Sequence, residues 1–188
     1  MALFLLALLL AVQTPTPTLT PSPTPAPAVQ SPRLALIIDR AIRPVTQPSF
    51  DRWVNDAAAR FATRFSVTTV PVPPDDPQPF ADPRFCTSSH VIGALIPGRH
   101  WHISSTTATV TVWYVIFDCD GDRFYDDSAT LTEKRNHAMI PQAQIESIAS
   151  HATDMLLAKF ATFISGHQVL WSRLLATGSL RDLSSVKK

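Results

Sequence analysis

Residues 107–131 read TATVTVWYVIFDCDGDRFYDDSATL. From Val110 to Phe117 every side chain is β-branched or aromatic, the composition that suits a pleated, half-buried strand. Asp120-Gly121 then supplies the positive φ that a two-residue loop between twisted strands requires. The stretch therefore predicts a long β-hairpin turning at Asp120-Gly121. Such a turn sets Cys119 opposite Asp122, Asp118 opposite Arg123, Phe117 opposite Phe124 and Ile116 opposite Tyr125. An opposite-charge pair or an aromatic pair across a ladder contributes about 0.2–1 kcal/mol. Side chains alternate, so Val110, Val112, Tyr114 and Ile116 share the expected core face. Thr111, Trp113, Val115, Phe117 and Cys119 share the other.

The rest of the chain is read outward from this hairpin. Its 188 residues accommodate one domain with extensions. Sixteen basic and fifteen acidic side chains leave a net charge of +1, with no basic block to attract nucleic acid or an anionic membrane surface. Proline is abundant at 17 and glycine scarce at 5, and the prolines concentrate near the amino terminus. Ala2 to Val12 is an unbroken apolar run. It is shorter than the roughly 20 residues that a spanning helix needs, and has the length of a secretory signal core. No Lys or Arg precedes it, and the small-residue pattern Ala26-Pro27-Ala28 lies well beyond it. No cysteine follows the run closely enough to carry a lipid anchor.

Thr14 to Pro32 alternates proline with Thr, Ser and Ala, which blocks both helix and sheet. An extended spacer of about 3.1 Å per residue is expected there. The chain thus divides into a signal peptide or apolar leader (1–13), a Pro/Thr-rich linker (14–32) and a single α+β domain (33–188). The expected location is secreted or periplasmic, with no membrane span once the leader is removed.

Within the domain, Leu34 to Ile38 reads as a buried strand. Pro44 and Pro48 punctuate a loop, and Ser49 is placed to cap a helix with Asp51 in its first turn. Phe50, Trp53, Val54, Ala57, Ala58, Phe61, Ala62 and Phe65 then recur at helical spacing. Val67 to Val72 reads as the second strand of a βαβ unit. After a Pro- and Asp-rich loop, His90 to Ile96 reads as a third strand, and His100 to Ser105 extends it or bends away. Pro141 suits the first turn of a helix whose stripe runs from Ile145 to Ile164. Gly166 is placed to end it, and Val169 to Leu175 suggests one further short helix.

The predicted architecture is α+β: a mixed sheet in β-α-β-β-β-α order, with two main helices on one face. That order after an exported leader resembles the small periplasmic α/β domain at the amino end of TolB-type and CsgG-type envelope proteins. The residues carrying the resemblance are Leu34–Ile38, the segment Ser89-His90-Val91-Ile92-Gly93-Ala94-Leu95, and the strand ending Ile116-Phe117-Asp118-Cys119-Asp120-Gly121. The resemblance implies an envelope assembly or recognition domain without catalysis.

Candidate sites are few. Cys86 and Cys119 are the only cysteines, and an even count in an exported chain favours a disulfide between them. Asp118, Asp120, Asp122, Asp126 and Asp127 crowd the turn, but the glycine sits two positions early for a calcium loop and the flanks are strands. His100-Trp101-His102 places two imidazoles on one face, yet no spacing marks His90 or His137 as a third zinc ligand. His151 and Asp154 lie one helical turn apart as an expected polar pair. Neither metal, cofactor nor catalytic residue is expected. Trp113, Phe117 and Phe124 are the expected partner-binding residues, unless the segment around Trp171 folds over them. The primary reading is a non-enzymatic exported domain that recognises a protein or cell-wall partner. The alternative is a small metal-dependent hydrolase using His100, His102 and the hairpin aspartates.

Overall fold

The computed structural model describes residues 31–38, 48–72 and 85–181. The expected leader, the linker up to residue 30, the loop at Pro44 and the whole Pro/Asp-rich loop lie outside the described residues. The elements are β1 (Arg33–Leu36), α1 (Pro48–Phe65), β2 (Thr68–Pro71), α2 (Phe85–Ser89), β3 (Gly93–Ile103), β4 (Thr107–Asp118), β5 (Arg123–Lys134), α3 (Pro141–Gly166) and α4 (Gln168–Thr177). They build the expected α+β fold around one five-stranded sheet of order β2-β1-β3-β4-β5. The sheet is mixed: β1 runs parallel to β2 and β3, while β3, β4 and β5 form an antiparallel meander.

Burial follows the alternation of the strands. Val110, Val112, Tyr114 and Ile116 are all fully buried, as expected of the core face. α1 and α3 supply the other half of that core through Phe50, Val54, Phe61, Ile148, Leu156 and Phe160. Each such side chain contributes about 1.5–3 kcal/mol when removed from water. Two polar contacts fix the helices: Trp53 Nε1 donates to Thr153 Oγ1 at 3.1 Å, and Tyr114 Oη donates to the Ala57 carbonyl at 3.3 Å. β1 is buried on both sides, which is why Leu34-Ala35-Leu36 reads as a continuous apolar run. Leu34 and Leu36 enter the main core, and Ala35 joins Phe85, Val91 and Ala94 in a small cluster on the opposite face.

Four local readings are corrected. α1 begins at Pro48, whose missing N–H costs nothing at a first helical position, so Ser49 lies inside the helix instead of capping it. The short helix α2, which was not anticipated, covers a corner of the second sheet face. β3 starts at Gly93 and runs through His100-Trp101-His102 to Ile103, because His90 sits in a turn at φ +54°.

The fourth correction concerns the hairpin. Asp118 N donates to Asp122 O at 2.9 Å and Gly121 N to Asp118 O at 3.2 Å, with Gly121 at φ +80°. The loop therefore holds three residues, Cys119 to Gly121, with glycine in the left-handed position that such loops require. That shifts the register by one, pairing Phe117 with Arg123. Phe124 is inserted as a bulge and restores the expected pairing of Ile116 with Tyr125. Phe124 and Tyr125 are both buried as a result.

Candidate functional site

The face of the sheet turned away from α1 and α3 carries Ile96, Gly98, His100 and His102 from β3, opposite Val115, Trp113, Thr111 and Thr109 of β4. Among the described residues, α2 covers only the corner of this face near Ala35 and Ala94. Trp113 is half-buried, and the cause is local: a Cβ at Gly98 would lie 2.0 Å from Trp113 Cε2. Glycine therefore lets the indole settle against the β3 backbone. The His100 ring lies 5.7 Å from that indole. Beyond it, hydroxyl pairs join β4 to β5, Thr111 to Thr130 at 2.8 Å and Thr109 to Thr132 at 2.9 Å. Phe117 is half-buried, with the Arg123 guanidinium 5.8 Å from its ring centre.

The structure keeps Trp113 and Phe117 on this face but removes Phe124. The bulge turns Phe124 into the main core, 7% exposed and stacked on Trp171 at 5.6 Å. Trp171 thus belongs to the helix-covered side, where Phe160 also meets it edge-on at 5.5 Å, and it does not fold over Trp113.

A Cys86–Cys119 disulfide joins α2 to the hairpin turn, with Cα atoms 5.7 Å apart. Around that turn the aspartates already hold partners. Asp118, fully buried, accepts from the backbone N–H groups of Asp120 at 2.9 Å, Asp122 at 2.7 Å and Leu180 at 2.9 Å. Arg181 Nε binds Asp122 at 2.9 Å, Arg123 binds Asp126, and Lys159 reaches Asp127 at 3.2 Å. The carboxylate cluster is a knot that ties the carboxy-terminal segment to the turn.

His100 and His102 do share a face, and both are exposed. His100 lies opposite Thr111, whereas the turn begins at Asp118 on the same strand. At about 3.3 Å per residue, that puts the histidines on the order of 20 Å from the turn aspartates. These groups cannot share one metal ion. Among the described residues, no group of three or more His, Cys, Asp or Glu side chains gathers as a metal site. The expected pair of His151 and Asp154 is also divided: His151 faces Glu133 at 3.8 Å, and Asp154 binds Arg60 at 2.9 Å.

One residue that sequence reasoning passed over is Arg99. Its position between Pro97 and Trp101 gives it core-face parity, opposite Val112, and it is 1% exposed. Burial pulls its guanidinium down to about 10, an effect that Glu146 opposes by favouring the charged form. The available signal was strand alternation: once β3 is extended past Ile96, Arg99 has to point inward.

No family model matches the chain, and no curated protein matches it. Among solved structures, a point variant of PelC from Paraburkholderia phytofirmans, solved as a dodecamer, is similar at 15% identity and a TM-score of 0.46, covering 71% of this chain and 93% of that one. A minor lipoprotein from Acinetobacter baumannii is similar with a TM-score of 0.36, covering 73% of this chain and 95% of that one.

Proposed function

We propose that this chain is an exported, non-enzymatic envelope domain, tethered by its proline-rich spacer, that recognises a protein or cell-wall partner through the sheet face around Trp113 and Phe117. The observation that carries the reading is Trp113 seated on Gly98, only partly buried on a face from which α1, α3 and α4 are absent. An aromatic ring held against backbone loses little conformational freedom on binding and offers a large apolar contact area. The neighbouring threonine hydroxyls and His100 supply a polar rim. The Cys86–Cys119 disulfide supports a secreted or periplasmic location, since such bonds persist in oxidising compartments. Among the described residues no helix is long and apolar enough to cross a membrane.

The test is capture of partners from the native envelope by crosslinking, with Trp113→Ala beside the unaltered chain. Truncating an interface anchor commonly costs 2 kcal/mol or more, on the order of thirtyfold in affinity. Equal capture by the two chains at equal folded concentration would refute this surface as the contact site.

A further inference from the structure

The helix-covered side of the sheet contains a cation that the core does not account for. The Arg99 guanidinium carbon lies 5.2 Å from the ring centre of Trp53, 5.3 Å from Trp101 and 5.7 Å from Phe50. These rings favour its charge but are poor acceptors for its N–H groups. Nε, Nη1 and Nη2 are all buried without a hydrogen-bond partner among the described residues. A guanidinium does not escape by losing its proton at ordinary pH, so five donors stay aimed at acceptors that the chain does not supply.

Arg99 is among the residues lining a cleft of about 250 Å³ between α1 and α3, together with Ser49, Arg52, Arg60, Glu146 and Ser150, and its nitrogens are closed to solvent until the side chains over them shift. The other cations there hold ion pairs, although Arg60 Nε and Nη2 are also buried without a well-aligned hydrogen bond. Arg60 meets Asp56 at 2.7 Å and Asp154 at 2.9 Å, and Arg52 faces Glu146 at 3.6 Å. Arg99 alone makes no ion pair within the cleft among the described residues.

We infer that this cleft binds a single carboxylate group, with Arg99 as the buried anchor and Arg52 at the rim. A carboxylate is planar and presents two acceptors that match the guanidinium fork. Counted over the residues that line the cleft, three arginines (Arg52, Arg60, Arg99) face two carboxylates (Asp56, Glu146), so one added negative charge balances the lining and a dianion would exceed it. The ligand class is a small carboxylic acid, or the carboxylate end of a larger molecule that fits the cleft. Trp113 lies on the other side of the sheet, and neither site depends on the other.

The test titrates the full chain with sodium acetate, inorganic phosphate and sodium chloride at matched ionic strength. Two readouts are used: the intrinsic fluorescence of the four tryptophans, of which Trp53 and Trp101 adjoin Arg99, and the Arg99 Nε–H resonance by NMR. Acetate should give a saturable response with a Kd of about 1 mM, a weak affinity suited to one small group. Arg52→Gln, at an exposed rim position, should weaken it roughly threefold to tenfold, and Arg99→Lys by more, because an ammonium lacks the planar fork. Arg99→Met should abolish it. A response to acetate no larger than to chloride would overturn the inference, as would phosphate binding more tightly than acetate or retained acetate binding in Arg99→Met. Should the Arg99 variants fail to fold, the wild-type resonance and Arg52→Gln still decide: an Arg99 signal that acetate does not move refutes the site.

Discussion

The two faces of the sheet use aromatic side chains in opposite ways. On the helix-covered face the rings consume one another: Phe160 touches Phe61 at 5.1 Å, Phe65 at 4.7 Å and Tyr125 at 4.7 Å. On the other face Trp113 has a glycine beneath it and an exposed histidine beside it. Rings in mutual contact hold the fold; a ring resting on backbone keeps part of its surface open to solvent. The difference is energetic as well as geometric, and substitutions measure it.

The largest loss is expected at Phe160. It is fully buried at the junction of α1, α3 and β5, where truncation removes transfer energy and leaves a cavity. Phe160→Ala should destabilise the domain by about 3–5 kcal/mol in denaturant unfolding. A loss below about 1 kcal/mol would show that the ring cluster is not the centre of the core.

Next comes the bond that crosses from one region to the other. Cys86 and Cys119 are 33 positions apart, and closing a loop of that size restricts the unfolded chain by about 3–4 kcal/mol. Cys119→Ser, or a reductant acting on the unaltered chain, should lower the melting temperature to a similar extent. Two titratable thiols in the unreduced native protein would contradict the bond.

These regions also differ in how far they were legible in the sequence. The core face of β4 and the stripes of α1 and α3 were readable because alternation and helical spacing repeat over many residues and tolerate small errors of boundary. The Cys86–Cys119 pairing was readable from its count and expected compartment. Phe124 was misplaced because its face depends on a single inserted residue, and composition does not separate a two-residue Asp-Gly loop from a three-residue loop followed by a bulge. Arg99 was missed for a related reason: its burial follows only from β3 running on through Pro97 and Gly98, residues that usually signal a break. The helix α2 is a single turn-and-a-half, too short to leave a periodic signal.

Arg99 tests whether the helix-covered face serves stability alone. Its guanidinium is held near 10 in the fold, well below its ordinary value, so the unfolded chain binds more protons between those two values. Stability therefore rises with pH across that window, and below it the buried charge costs the fold free energy. Arg99→Met fills similar space without the charge and should stabilise the domain by about 1–3 kcal/mol at pH 7, while removing the acetate response. A loss of stability instead would mean that the three rings already satisfy the cation.

The smallest effect on folding is expected at Trp113, and its size decides how the capture experiment is read. The indole touches the β3 backbone at Gly98 and lies beside the His100 ring, but it is only partly buried and lies outside the main core. Trp113→Ala should then cost about 1–2 kcal/mol, well short of the 3–5 kcal/mol for a buried aromatic. In a domain with the usual 5–15 kcal/mol of stability, such a loss leaves almost every molecule folded. A thirtyfold fall in capture could not come from unfolded protein and would have to arise at the surface itself. Denaturant melts and capture run on the same preparation separate the cases. If the melt shows a core-sized loss and capture falls only with the folded fraction, Trp113 belongs to the architecture and the distinction between the two faces fails.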